Sequence, residues 1–179
     1  MDAAKKVFEP ENTKELLRGW LLHAHKGRDR HDEAARHFET FRYLLGVPTS
    51  ILSTVAGASV LASWGKEPPG SIVVGLLGIA AGVLAALQTF LEYASRAERH
   101  RHVGVKYKSF IRELEQALTA GEVHKDPKHP SFGELRNRLD NVEETAPVVA
   151  SSIYSRVEKK YAEVSFVASA LKLTTGNRA

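Results

Sequence analysis

The sequence contains no cysteine. This absence excludes disulfide bonds, thiolate metal sites and cysteine nucleophiles. The chain also lacks a phosphate-cradling glycine loop, a nucleophile elbow and an HExxH pair. Its carboxylates are scattered along predicted helices, many of them beside Lys or Arg, as expected for solvated faces. We therefore expect a protein that is not an enzyme, that has no catalytic or metal-binding residues and that needs no cofactor.

Charge is missing from two long segments, residues 43–65 and 68–91, which contain no Asp, Glu, Lys, Arg or His. A membrane-spanning helix needs roughly 20 mostly apolar residues, and each segment is long enough. Only Lys66 and Glu67 separate them. A soluble helical hairpin inside a globular core is the alternative, since both segments are rich in Ala, Gly and Ser. Because 179 residues leave too few to wrap two helices on every side, the sequence favours a transmembrane hairpin.

Positive charge is concentrated on the two flanks of this hairpin. The flanking cations are Lys26, Arg28, Arg30, Arg36 and Arg42 before it, and Arg96, Arg99, Arg101, Lys106 and Lys108 after it. The connecting loop offers only Lys66. Cytoplasmic flanks carry an excess of Lys and Arg, so the asymmetry predicts a multi-pass protein with both termini in the cytoplasm.

Apolar residues recur at alternating steps of three and four on both flanks, which predicts two long helical arms. The first stripe comprises Leu17, Trp20, Ala24, Gly27, His31, Ala34, Phe38, Phe41 and Leu45. The second comprises Tyr93, Ala97, His100, Gly104, Tyr107, Ile111, Leu114 and Leu118. Of the eight histidines, two or three could converge across the arms. The alternatives to neutral helix packing are a metal site formed by some of these histidines and a proton-sensitive gate at His31 and His100.

The patterns predict an all-α membrane protein: a two-helix transmembrane hairpin, extended by long cytosolic arms and C-terminal amphipathic helices, that assembles as a homo-oligomer. The predicted N-terminal cytosolic arm covers residues 1–42. Two transmembrane helices follow, over 43–64 and 71–91, joined by an external turn over 65–70. After them we predict a second cytosolic arm over 92–120, a loop over 121–130, C-terminal cytosolic helices over 131–171 and a tail over 172–179. Asn12 or Thr13 is expected to cap the first helix, and Pro147 to interrupt the C-terminal ones.

Small and hydroxyl side chains share one face of each apolar segment. On the first segment these residues are Gly46, Thr49, Ser50, Ser53 and Gly57, which could line a pore or pack against another helix. On the second they are Ser71, Gly75, Gly78, Gly82, Ala86 and Thr89, a pattern that favours packing within the hairpin or between subunits. One hairpin cannot enclose a conduit, so a pore requires a homo-oligomer, which we expect to be a tetramer or larger.

Two groups of residues resemble a known family. The first is Phe90-Leu91-Glu92-Tyr93 followed by Ala97-Glu98-Arg99-His100-Arg101 and Tyr107; the second is Leu139-Asp140, Glu143-Glu144, Ala146-Pro147 and Tyr154. Together with the hairpin they are similar to SLATT domains (SMODS- and SLOG-associating two-transmembrane effector domains), over roughly residues 15 to 155. Phe110 departs from the pattern, which has Leu there. SLATT domains belong to bacterial conflict systems and accompany nucleotidyltransferases or nucleotide-sensing partners.

The resemblance implies a pore-forming ion channel of the bacterial inner membrane that acts in antiviral (antiphage) defence. Such an effector is silent until infection and is gated by a nucleotide or oligonucleotide signal that a partner nucleotidyltransferase makes; depolarisation then arrests or kills the cell. Arg96, Arg99, Arg101 and Lys106 are the expected ligand-binding residues, with contact to lipid headgroups as their alternative role. The alternative function is a non-conducting membrane adaptor that anchors a cytosolic partner.

Overall fold

A computed structural model describes residues 10–61, 69–119 and 130–162 of the chain. These residues form helices α1 (Thr13–Leu61), α2 (Gly70–Leu91), α3 (Tyr93–Thr119), α4 (Pro130–Glu144) and α5 (Ser151–Lys160), and the described ranges contain no strand. The all-α prediction is therefore confirmed. The predicted turn around residues 65–68, the loop over 121–129, the end of the last helix after residue 162 and the tail over 172–179 lie outside the described residues.

Helix α1 begins at a capped end and continues for 49 residues. The side-chain oxygen of Asn12 accepts a hydrogen bond from the Glu15 N–H at 2.9 Å, and the Glu15 carboxylate accepts one from the Glu11 N–H at 2.9 Å. The first of these bonds satisfies one of the backbone donors that a helix start leaves without a partner. The predicted cap is confirmed at Asn12. The helix runs through Pro48 without ending there.

A single residue separates α2 from α3. Glu92 has the left-handed conformation, with φ 47° and ψ 37°, and its carbonyl accepts a 3.0 Å hydrogen bond from the Arg96 N–H in the first turn of α3. A left-handed residue with a side chain costs roughly 1–2 kcal/mol. Glu92 thus interrupts the helical conformation directly after the second uncharged segment ends at Leu91.

The chain divides into two compact units. The first, here the terminal unit, comprises Met1–Ala34 and Arg99–Ala179, and the second, here the hairpin unit, comprises Ala35–Glu98. Helices α1 and α3 each contribute to both units.

The terminal unit has a core built from α1, α3 and α4. Its buried cluster consists of Leu17, Ala24, Val103, Tyr107, Phe110, Ile111, Leu114, Phe132, Leu139 and Val142. The parts of the two predicted stripes that belong to this unit are buried or half-buried, with Leu17 and Ala24 on α1 and Ile111 and Leu114 on α3 among the buried residues. Phe110, which is 1% exposed, lies outside the predicted stripe because α3 also takes part in a cluster with α4.

Helix α4 ends at Glu144, and residues 146–150, which include Pro147, are irregular before α5. The predicted interruption at Pro147 is confirmed, because proline cannot donate the hydrogen bond that a continuing helix requires. Helix α5 buries Ile153 and Val157, one helical turn apart. The rest of its surface is exposed or half-buried, so α5 is an amphipathic helix.

The hairpin unit contains the second part of α1 and all of α2, which run antiparallel. Thr49 is hydrogen-bonded to Gln88, and the Phe41 and Tyr93 rings stack with centroids 5.5 Å apart. Both helices are long and apolar enough to cross a membrane. In the most apolar 18-residue window of α1 no residue is buried, and in that of α2 only 6% are.

Candidate functional site

The outer surface of the hairpin unit is apolar. Of the sixteen large hydrophobic side chains that are exposed among the described residues, thirteen belong to this unit. They are Tyr43, Leu44, Val47, Ile51, Val55, Val60, Ile72, Val73, Leu76, Ile79, Val83, Leu87 and Phe90. Soluble monomers rarely expose contiguous apolar patches larger than a few hundred Å². An exposed apolar surface of this kind is typical of proteins whose surface is covered by lipid or by other chains.

A polar bridge joins α1 to α2 inside this apolar unit. The Gln88 amide donates a 2.7 Å hydrogen bond to the Thr49 hydroxyl, which in turn donates to the Leu45 carbonyl at 2.7 Å. A Cβ added at Gly46 would lie 3.6 Å from Oε1 of the Gln88 side-chain amide. Two of the five residues predicted to line a pore, Gly46 and Thr49, thus lie beside the other helix.

The other three predicted pore residues are exposed. Ser50, Ser53 and Gly57 are all open to the outside of the hairpin unit, and a Cβ at Gly57 would meet nothing within 4 Å. The Ser50 hydroxyl donates a 3.0 Å hydrogen bond to the Gly46 carbonyl of its own helix. Exposure leaves these residues available to water, to lipid or to a second copy of the chain.

The small-residue face of α2 is also open. A Cβ added at Gly75, Gly78 or Gly82 would meet nothing within 4 Å. The buried residue of α2 is instead Ala81. These three glycines therefore give no support to packing within the hairpin, and packing between subunits stays a prediction.

Gln88 was not among the residues predicted from the sequence. It is the only amide side chain in either uncharged segment, and this rarity is the signal that could have identified it. A polar side chain among apolar helices is expected to form an interhelical hydrogen bond.

Two buried histidines meet in the terminal unit, which confirms the predicted convergence across the arms. Nδ1 of His31 and Nδ1 of His100 are 2.9 Å apart, and the side chains are only 5% and 3% exposed. The Tyr107 ring stacks on His31 with centroids 5.9 Å apart. A hydrogen bond between two ring nitrogens requires one of them to carry a proton and the other to accept it, so the pair fits two neutral imidazoles.

Burial and nearby positive charge disfavour the protonated form of this pair. Burial, followed by the charges of His100 and Arg30, lowers the pKa of His31 to about 4. Burial also lowers the pKa of His100, and it raises the pKa of Tyr107 to about 12. Within the described ranges, no three His, Asp or Glu side chains are placed to hold a metal ion.

Two glycines allow close approach of the helices in the terminal unit. A Cβ at Gly27 would lie 2.5 Å from the Tyr107 ring, and a Cβ at Gly104 would lie 2.6 Å from the Asp32 carboxylate. The first neighbour is a buried ring, whereas the Asp32 side chain is 30% exposed and pairs with Lys108. A side chain at position 27 would therefore meet a buried ring that has little room to move, whereas one at position 104 would meet a carboxylate that can move away.

Ion pairs connect α5 to α1 across more than 120 residues of sequence. Glu158 bridges Lys26 and Arg30, Asp29 binds Lys160 and the Tyr161 hydroxyl, and Glu33 pairs with Arg156. Partial burial would raise the pKa values of Glu158 and Asp29, but the hydrogen bonds from these cationic partners outweigh it and lower both. These contacts were not predicted from the sequence, since no local spacing indicates them.

The predicted ligand-binding residues all lie on α3. Arg96, in the hairpin unit, is exposed, as are Arg99 and Arg101 in the terminal unit. Lys106 is half-buried and donates to the Thr145 hydroxyl at 3.3 Å. Helical spacing places Arg99 and Lys106 on one side of α3 and Arg101 on another. Their role as a ligand site stays a prediction.

Comparison with known proteins gives no match: no family model fits the chain, and no curated protein and no solved structure is similar to it. The resemblance to SLATT domains therefore stays a prediction that depends on the residues quoted for it.

Proposed function

We propose that the hairpin unit crosses a lipid bilayer twice. The observation that carries this proposal is the exposure of both apolar helices, with 0% and 6% of their most apolar windows buried. The core helix of a soluble protein would be mostly buried. Lipid covers such a surface without any further protein, and both helices are long enough to cross the hydrocarbon.

The proposed topology places both termini in the cytoplasm. It rests on the concentration of Lys and Arg on the two flanks, against the single Lys66 in the connecting segment. The resemblance to SLATT domains suggests the bacterial inner membrane. The terminal unit is then cytosolic, where it can meet a soluble signal.

We further propose that several copies assemble into a pore. The open glycine face of α2 supports this, because glycine faces let transmembrane helices approach closely. A tetramer or larger ring leaves Ser50, Ser53 and Gly57 of α1 to face water along the axis. Together with the resemblance, this describes an antiphage effector that depolarises the membrane in response to a nucleotide-derived signal.

A non-conducting membrane adaptor is the second candidate function. The hydrogen bond from the Ser50 hydroxyl to the Gly46 carbonyl favours it. A hydroxyl satisfied by its own helix needs no water and can face lipid or a packed helix. In that case the hairpin unit is only an anchor, and the terminal unit binds the partner.

Conductance of the purified chain in planar bilayers distinguishes the two functions. For the pore, the double variant Ser50→Leu/Ser53→Leu should lose conductance, because bulky apolar side chains would close and dry a lumen lined by serines. Val55→Leu is the matched control: it adds bulk to an exposed apolar position on the opposite side of α1. Absence of conductance from the native oligomer, with and without added nucleotides, would support the adaptor.

A further inference from the structure

Glu158 occupies a cationic site between α1 and α5. Its Oε2 lies 2.8 Å from the Lys26 Nζ, and its Oε1 accepts a hydrogen bond from Nη2 of Arg30. The Arg30 guanidinium in turn lies over the Tyr154 ring, 3.9 Å from its centroid. The side chains of Lys26 and Arg30 are only 13% and 15% exposed. Two largely buried cations thus bind one carboxylate, and an aromatic ring lies against one of these cations.

The Arg30 guanidinium is only partly used in this arrangement. Its Nε and Nη2 lie on the same edge, which can bind two oxygens side by side. Glu158 takes Nη2, whereas Nε is buried and has no hydrogen-bond partner in the part of the chain that the structure describes. In Arg28, two residues earlier, both donors of this edge are used: Nε and Nη2 donate to Asp29 at 2.8 and 2.6 Å.

A phosphate group fits this site better than a carboxylate does. The two Glu158 oxygens are divided between the two cations, which leaves none for the Arg30 Nε. A phosphate presents three oxygens, enough for the Lys26 ammonium and for both donors on the arginine edge. We propose that Lys26, Arg30 and Tyr154 form a binding site for a phosphate group, and that Glu158 occupies this site until the ligand displaces it.

Displacement of Glu158 would remove one of the links between α5 and α1. The pairs Asp29–Lys160 and Glu33–Arg156 would remain, so ligand binding would shift α5 without requiring it to unfold. If this shift opens the pore, the site is the sensor of the nucleotide-derived signal. That gating role rests on the proposed function, whereas phosphate binding itself does not.

Binding of inorganic pyrophosphate to the full chain, measured by calorimetry in an uncharged detergent, tests the proposal. Glu158→Gln should bind pyrophosphate about tenfold or more tightly than the native chain, because the competing negative charge is gone. Adding Arg30→Gln to that variant should abolish the gain. Glu33→Gln is the matched control, since it breaks another α1–α5 ion pair but leaves the site occupied by Glu158, and its affinity should be unchanged.

Two results would overturn the proposal: equal affinities in the native chain and Glu158→Gln, or the same gain in Glu33→Gln. The second result would mean that loosening α5, rather than emptying this site, exposes the cations. Nanodiscs of phosphatidylcholine with and without phosphatidic acid identify the source of the phosphate. Protection of the Lys26 ammonium from acetylation by phosphatidic acid, but not by pyrophosphate, would support the same site with a lipid headgroup as its ligand.

Conductance recorded on the same variants separates this proposal from the proposed function. Tighter pyrophosphate binding by Glu158→Gln without any conductance would support the site and contradict the pore. Conductance with unchanged pyrophosphate affinity would support the pore and overturn the site.

Discussion

Acidification should destabilise the chain through its buried histidine pair. In the unfolded chain a histidine has a pKa near 6.5, whereas burial and neighbouring positive charge bring that of His31 to about 4. Between these two values the unfolded state binds more protons than the folded state, so stability falls as pH falls. The stability that depends on a neutral His31 is fully present above pH 6.5 and is lost as the pH drops toward 4.

The expected loss follows from the interval between the two pKa values. At 1.36 kcal/mol for each pH unit between 6.5 and about 4, protonation of His31 costs about 3 kcal/mol of folding free energy. Single domains are stable by only about 5–15 kcal/mol, so this loss is a large fraction. Burial is the largest cause of this lowered pKa, and His100 and Arg30 add to it by opposing a further positive charge, whereas Asp32 favours that charge but contributes least.

Reversible unfolding of the full chain in a mild detergent, followed by circular dichroism from pH 7.5 to 4.5, measures this effect. Glu158 and Asp29, with lowered pKa values, stabilise the fold above their ordinary pKa values of 4.5 and 3.8, so their contributions are lost mainly below this range. The double variant His31→Leu/His100→Leu should therefore show a much flatter profile. His102→Gln changes an exposed histidine and should keep the native slope.

Two outcomes would refute this reasoning. The first is a native chain whose stability is constant between pH 6.5 and 4.5. The second is a drop of equal size in the double variant, which would assign the acid sensitivity to groups outside the histidine pair.

Three further substitutions have expected effects on the free energy of unfolding in detergent. Gly27→Ala should destabilise the chain by about 1–2 kcal/mol, because overpacking against the Tyr107 ring outweighs the roughly 1 kcal/mol that alanine gains in a helix; a stabilised variant would contradict the contact. Gly104→Ala should be neutral or stabilising by up to about 1 kcal/mol, since the flexible Asp32 carboxylate can move away. A free energy of unfolding lowered by more than about 1 kcal/mol would show that this carboxylate cannot move. Gln88→Leu should lower the free energy of unfolding by about 1 kcal/mol, because it removes the hydrogen bond to Thr49. An unchanged free energy of unfolding would exclude that hydrogen bond.

Local patterns predicted the elements of the fold well. The uncharged segments and the steps of three and four depend on residues within one or two helical turns, and helices form from such local order. The buried positions Leu17, Ala24, Ile111 and Leu114 followed from the spacing alone. Phe110 did not, because its burial depends on α4, which joins the cluster from a distant part of the chain.

The side-chain contacts of the candidate sites could be predicted from the sequence only in part. The convergence of His31 and His100 followed from the antiparallel stripes, but their Nδ1–Nδ1 contact depends on side-chain rotamers. The placement of Glu158 against Lys26 and Arg30 joins residues at least 128 positions apart, and no periodicity encodes such a pairing. The glycine face of α2 was visible as a pattern, whereas its openness is a property of the folded chain.

Collision measurements on spin labels in vesicles test the central claim, that lipid surrounds the outer face of the hairpin unit. The chain has no cysteine, so Ile79→Cys and Val83→Cys each provide one labelling site on exposed apolar positions, and Asn137→Cys provides an exposed reference in the terminal unit. The account predicts that labels at 79 and 83 collide more with oxygen, which dissolves in lipid, than with a water-soluble nickel chelate, and that the label at 137 shows the reverse. Equal nickel accessibility at all three positions would contradict it.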